Sequence, residues 1–119
     1  MENIFLCYPK CTTCQKAEKW LTENNISYSK RHIVEQNPTI EELNKWWQQS
    51  KLPLKRFFNT SGLAYKEMNL KERLPQMSET EQIELLSTNG MLVKRPLLIN
   101  DKTILVGFKE NDWNEALNK

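Results

Sequence analysis

The alternation of apolar and polar positions divides the chain into three stretches of different character. Residues 3–8, NIFLCY, are apolar and partly β-branched or aromatic, which predicts a short buried strand ended by Pro9. From Thr12 the period lengthens. Cys14, Ala17 and Leu21 recur at helical spacing with charges between them, and ENN at 23–25 closes that helix. Residues 26–34, ISYSKRHIV, alternate in their first half and predict a second strand. Strand, helix and strand in this order make a βαβ unit with parallel strands.

Residues 38–90 predict helices. Pro38 and Thr39 open the first, with Thr39 and Glu42 at capping-box spacing and Ile40, Leu43, Trp46 and Trp47 as its apolar stripe. Residues 54–58 predict a short helix and residues 64–74 a helical or turn-like segment. Ser78 and Glu81 repeat the capping spacing ahead of Ile83, Leu85 and Leu86, and Asn89-Gly90 is expected to end that helix in the way glycine commonly does. After Gly90 the strand character returns. Residues 96–99 and 103–106 flank NDK at 100–102 and predict an antiparallel hairpin. Gly107 breaks it, and residues 110–119 form a last amphipathic helix with Trp113 and Leu117 inward. Trp46 and Trp47 read as core, and His32 as a surface or strand-end residue.

At 119 residues the chain suits one domain. The thioredoxin-like part is expected at about 1–37 and 91–119, with a helical insertion at about 38–90. Seventeen basic residues against fifteen acidic ones leave a net charge of +2, which calls for neither nucleic acid nor an anionic membrane. The start, MENIFLCYPK, lacks the charged and apolar regions of a signal peptide, and no later run approaches a membrane span. A cytoplasmic location is expected. Thiols stay reduced there, so a structural disulfide explains little about the cysteines.

All three cysteines lie within CYPKCTTC, residues 7–14. Cys11 falls where the first helix begins. Backbone N–H groups without intrahelical partners and the helix dipole favour an anion at that point, and Lys10 adds a positive neighbour. Such surroundings lower a thiol pKa and make the thiolate nucleophile. Cys14 lies one helical turn further on the same face, within disulfide reach of Cys11. A C-x-x-C beside a βαβ pattern reads as a thioredoxin-like redox pair. An inert pair and a zinc site are the alternatives. A structural zinc site needs four ligands, and the chain offers three cysteines and one histidine, so no metal is expected. Cys7 reads as a small buried apolar residue. Arg95-Pro96 precedes a strand, where the proline is either a cis residue facing a partner or an ordinary strand-entry residue.

YPKCTTCQKAEKWL, FFNTSG, YKEMNLKE, GMLVKRPLLI and VGFKE, taken in order, resemble the arsenate reductase/Spx-like family, the ArsC-like branch of the thioredoxin fold. The likeness runs from Ile4 to about Trp113. It implies an α/β fold: a thioredoxin-like (glutaredoxin-like) mixed sheet of about four strands with an inserted helical subdomain. It also implies a cysteine nucleophile at Cys11, a Cys11–Cys14 redox switch as in Spx-like members, and an Arg-Pro pair at Arg95 and Pro96 with a cis proline. Of the three arginines that surround the nucleophile in glutathione-coupled arsenate reductases, Arg95 matches one, while the other two positions fall near Asn59 and Gly107. The glycine through which Spx contacts RNA polymerase falls near Pro53.

The reading is a cytosolic thiol–disulfide oxidoreductase. Its expected catalytic residues are Cys11, Cys14 and Arg95, with Lys10, Thr12, Thr13 and Pro96 lining the substrate site. No cofactor is bound, and glutathione or a thioredoxin restores the dithiol. A thiol or disulfide substrate and the thioredoxin or glutaredoxin system are the expected partners of a monomer. The alternative is an Spx-like redox-switched transcription regulator that binds the C-terminal domain of the RNA polymerase α subunit. True arsenate reduction ranks below both.

Overall fold

A computed structural model of the protein describes residues 2–118. The chain forms two units. One ends at His32 and resumes at Arg95; the other is Ile33–Lys94.

The first unit holds a four-stranded sheet of order β2-β1-β3-β4. Strand β1 (Ile4–Cys7) pairs in parallel with β2 (Ser29–His32) and antiparallel with β3 (Leu97–Ile99), which pairs antiparallel with β4 (Ile104–Val106). The crossover between β1 and β2 is helix α1 (Thr12–Glu23). Both the βαβ unit and the closing hairpin follow the apolar pattern, and the result is the thioredoxin-like mixed sheet.

One face of this sheet carries Phe5, Cys7 and Leu98. They pack with Cys14, Ala17, Trp20 and Leu21 of α1 and with Trp113 of the last helix, Glu110–Leu117. Trp113 is the hub. Its ring meets Phe108 at 5.0 Å, Trp20 at 6.2 Å and Phe5 at 6.3 Å, all edge to face, an arrangement that suits the aromatic quadrupole. Its indole N–H, which burial would otherwise orphan, donates to the Gly107 carbonyl at 3.0 Å. Gly107 takes a φ of 76°, a conformation that any side chain would strain, and its N–H donates to the Pro96 carbonyl at 2.8 Å.

The second strand is shorter than the alternation at 26–34 predicts. Helix α1 closes through Asn25 in the left-handed region, with the Asn25 N–H reaching Thr22 and the Ile26 N–H reaching Leu21. Ile26 is therefore spent on the helix end, and pairing begins only at Ser29, whose N–H donates to the Asn3 carbonyl at 2.8 Å. The strand ends at His32. Glu18 ties helix to strand, accepting from the Tyr28 hydroxyl at 2.8 Å and pairing with Lys30 at 3.1 Å. In the hairpin, the Asn100 side chain accepts from the N–H groups of Lys102 and Thr103, which makes NDK the turn its composition predicts.

In the second unit, α2 (Ile40–Ser50) and α5 (Glu79–Thr88) each begin with the predicted capping box, Thr39 with Glu42 and Ser78 with Glu81. Leu43 and Trp46 are buried, and the Trp47 indole donates to the Leu52 carbonyl. Ile40 is exposed, because the first residue of the helix lies outside the buried stripe. Residues 54–58 form a 3-10 turn at Leu54–Phe57, after which Phe58 extends and bridges to Val93. Residues 64–74 divide into α3 (Leu63–Glu67) and α4 (Leu70–Arg73), because Asn69 adopts a φ of 55° between them. The last helix of the protein is thus α6. No helix among the described residues is long and apolar enough to cross a membrane.

Gly90 corrects the sequence reading. It does not end α5 through a left-handed turn; the helix ends at an extended Asn89, and Gly90 starts a 3-10 turn. The glycine is required for another reason. A Cβ there would collide with the carbonyl group of Ile33 and the backbone of Val34. Both obstacles are main chain and cannot swing away. Gly90→Ala is expected to destabilise the protein by about 3 kcal/mol, the upper end of overpacking costs, read as a lower urea midpoint at unchanged slope.

Candidate redox site

The loop between β1 and α1 places Cys11 at the N-cap of the helix, with extended backbone at φ −84° and ψ 120°. Serine, threonine or aspartate usually occupies such a position, offering an oxygen to the first free N–H groups. Here the side chain offers sulfur. No conventional side-chain cap closes the helix. The Thr13 and Cys14 amides and the Cys14 thiol instead act directly on the Cys11 sulfur.

The cysteines have different environments. Burial alone pushes the Cys11 thiol up. The Cys14 amide, a hydrogen bond from the Cys14 thiol, the Arg95 guanidinium and the Thr13 amide together outweigh that, and the Cys11 pKa is held below the ordinary cysteine value. Cys14, buried on the core side, is pushed up to about 12. Burial is the chief cause, and donating to Cys11 and facing its charge add to it, against the Tyr8 amide, which donates to the Cys14 sulfur at 3.4 Å. Cys7 is pushed up by burial, partly offset by Lys30. All three thiols are free, and only Cys11 is partly exposed. The site thus has at its mouth a sulfur whose thiolate form is favoured, and behind it a thiol whose proton is held.

Arg95 reaches this site from two residues before β3, and the Arg95-Pro96 peptide is cis. This guanidinium is a positive charge acting on Cys11. Lys10, Thr12 and Thr13 are exposed on the loop and first turn of α1, while Pro96 is buried. Among the described residues no group of three or more His, Cys, Asp or Glu side chains is arranged to hold a metal ion.

Sequence reasoning passed over Tyr8, read only as the end of a strand. Its ring lies under the Arg95 guanidinium, 5.3 Å from centroid to carbon, a cation–π distance. The edge of His32, at the end of β2, meets the same ring at 5.8 Å. The available signal was its place: an aromatic residue just beyond a strand end and three residues before the nucleophile.

A model of the ArsC family matches residues 6–116. The uncharacterized protein YusI of Bacillus subtilis (strain 168) is 52% identical over 115 residues, which is 97% of this chain and 98% of that protein. The regulatory protein MgsR of the same organism is 30% identical over 108 residues, covering 91% of this chain and 84% of its own length. Among solved structures, a putative ArsC family related protein from Bacteroides fragilis superposes with a TM-score of 0.94 at 58% identity, covering 97% of each chain.

Because its pKa is lowered, Cys11 keeps its reactive form to lower pH than a free cysteine. In the reduced protein at neutral pH, iodoacetamide is expected to label Cys11 first, with Cys7 and Cys14 protected until unfolding; peptide mass analysis checks this. Arg95→Gln removes one stabiliser of the anion, so the midpoint of the alkylation–pH profile should move upward. Tyr8→Leu should move it in the same direction by freeing the guanidinium, and Tyr8→Phe should leave it near the wild-type position. A Tyr8→Leu profile equal to wild type, with Arg95→Gln shifted, would show that the ring does not position the arginine.

Proposed function

The chain belongs to the ArsC family, and from that premise we propose that it is a thiol–disulfide oxidoreductase working through Cys11 and Cys14. The observation that carries this reading is the unequal pair: a partly exposed sulfur with a lowered pKa, hydrogen-bonded by a buried thiol three residues on. Nucleophilic attack needs a thiolate in reach of solvent, and resolution needs a second thiol that stays protonated until called upon.

In the first step the Cys11 thiolate attacks one sulfur of a substrate disulfide. A mixed disulfide forms at Cys11, and the other substrate sulfur leaves as a thiolate. This consumes the anion at Cys11. Burial still holds the Cys14 pKa up, but the hydrogen bond to Cys11 and the Cys11 charge no longer do, so Cys14 loses its proton more easily. In the second step the Cys14 thiolate attacks the Cys11 sulfur, a Cys11–Cys14 bond forms, and the second substrate sulfur leaves. The substrate has gained two electrons and the dithiol has lost them. A small thiol such as glutathione, or a thioredoxin, returns them by the same exchange in reverse. Arg95 stabilises the attacking and leaving thiolates, the exposed Lys10, Thr12 and Thr13 face the incoming group, and the buried Pro96 shapes the backbone behind them.

Arsenate reduction ranks lower. Arg95 alone matches the family's set of three arginines, and Gly107, near another of those positions, has a backbone that favours glycine. A multiply charged oxyanion is held best by several guanidinium forks.

The similarity to the regulatory protein MgsR supports a second reading, a redox-switched regulator that contacts the C-terminal domain of the RNA polymerase α subunit. Pro53 counts against the Spx mode of contact, since proline lacks a backbone donor.

The Cys14→Ser variant tests the first reading. It should lose turnover on a dithiol-coupled disulfide substrate and accumulate the mixed disulfide at Cys11, visible by mass without reductant. Full turnover in this variant would overturn the resolving role. For the second reading, capture of the α C-terminal domain should change when Cys11 and Cys14 are oxidised; no capture in either redox state sets it aside.

A further inference from the structure

Cys7 is the nucleophilic side chain that the two-cysteine mechanism leaves unused. It is almost fully buried at the end of β1 and faces the same core cluster as Cys14, with Cys11 packed against that cluster. Its distance from Cys14 is bounded by a bond already described. The Tyr8 amide lies 3.4 Å from the Cys14 sulfur, and that amide is joined directly to the Cys7 carbonyl carbon. Standard backbone dimensions then put the Cys14 sulfur within roughly 6 Å of the Cys7 Cα. The Cys7 side chain and one S–S bond of about 2 Å cover most of that span, and the bond requires the Cys14 sulfur to turn toward the strand. Cys14 is therefore the shared neighbour: the Cys11 sulfur accepts its hydrogen bond, and Cys7 faces it from the strand. Among the described residues the three cysteines are not arranged as a metal-holding set.

We propose that Cys7 is a third redox thiol, which takes the disulfide over from Cys11 as a buried Cys7–Cys14 bond. The step rests on the oxidoreductase reading for the source of its disulfide. Cys7 loses its proton and attacks the Cys14 sulfur of the Cys11–Cys14 bond. The Cys7–Cys14 bond forms, the Cys11–Cys14 bond breaks, and Cys11 leaves as a thiolate. No electrons enter or leave; one disulfide is exchanged for another and one proton is released.

The graded surroundings of the sulfurs give the direction. Exchange favours the product in which the sulfur best able to carry negative charge is the free one. Cys11 is that sulfur, with amides and Arg95 around it, whereas Cys7 and Cys14 are both disfavoured as anions by burial. The consequence is functional. Two electrons' worth of oxidation is stored away from solvent, and Cys11 regains its reactive form while the protein is still oxidised. The protein would then report or pass on oxidation from a buried site.

The wild-type protein allows a direct test, because Lys10 separates the cysteines into different tryptic peptides, Met1–Lys10 with Cys7 and Cys11–Lys16 with the other two. Dilute reduced protein is treated with one equivalent of diamide, which takes up two electrons and two protons. Samples are quenched in acid over time, unfolded, labelled with N-ethylmaleimide and digested without reductant. A Cys11–Cys14 bond gives a looped Cys11–Lys16 peptide and a labelled Cys7. A Cys7–Cys14 bond gives two cross-linked peptides with the label on Cys11. The looped form is expected first, then its replacement by the cross-linked form, in excess by at least about tenfold at equilibrium, corresponding to about 30 mV in potential. A looped form that persists with Cys7 labelled would overturn the proposal.

Cys11→Ser provides the second measurement. There the Cys7–Cys14 cross-link is expected to form directly on oxidation. If it forms while the wild type gives no loop at any time, the third thiol stands and the Cys11–Cys14 pair fails as the working couple. If the wild type loops and Cys11→Ser gives no cross-link, the pair stands and the third thiol fails.

Discussion

A sulfur atom takes the place of a capping oxygen at the start of a helix, and the rest of the site is arranged around that substitution. The first amides of any α-helix lack partners within it. In α1 those amides belong to Thr13 and Cys14, and they act on the Cys11 sulfur. The helix end offers its amides to the sulfur, and those amides favour the sulfur's charged form. The arrangement depends on β1 ending at Cys7 and on the tight loop Tyr8–Lys10, whose closing bond runs from the Cys11 N–H to the Tyr8 carbonyl at 2.9 Å.

The sheet and its aromatic hub hold this geometry in place. Phe5 and Cys7 point into the cluster organised by Trp113, so β1 cannot slide without breaking a packed face. The same packing sets the order of the three thiols. Burial raises Cys7 and Cys14, while the loop leaves Cys11 partly open, so one C-x-x-C with a neighbouring cysteine becomes a graded series and not three equal groups. The hairpin of β3 and β4 contributes as well, because the residue that delivers the guanidinium lies two positions before β3. Tyr8 then holds that guanidinium from beneath.

The Ile33–Lys94 unit follows different rules. Its two long helices begin with reciprocal caps and carry short buried stripes, and the segments between them are 3-10 turns and α-helices of four or five residues. Gly90 shows how a local pattern misleads there. Asn-Gly after a helix has the composition of a left-handed stop, yet the glycine is needed because the Ile33 main chain passes against it. Nothing within a few residues of position 90 carries that information, since the neighbour is 57 residues away in sequence.

The sequence by itself determined whatever rests on local spacing: the βαβ unit, the closing hairpin, both capping boxes, the Asn100 turn, and the placement of Cys11 and Cys14 one turn apart at a helix start. These are properties of periods of two and about 3.6 residues and of side chains reaching their own backbone. The tertiary structure alone decided which charge serves the sulfur, because Arg95 is brought in by strand pairing between segments some ninety positions apart, while Lys10, adjacent in sequence, stands exposed on the loop. It decided where β2 begins, through the close of α1 at Asn25 and Ile26. It also decided that Cys7 lies beside Cys14, a relation that a strand and a helix acquire only when packed face to face.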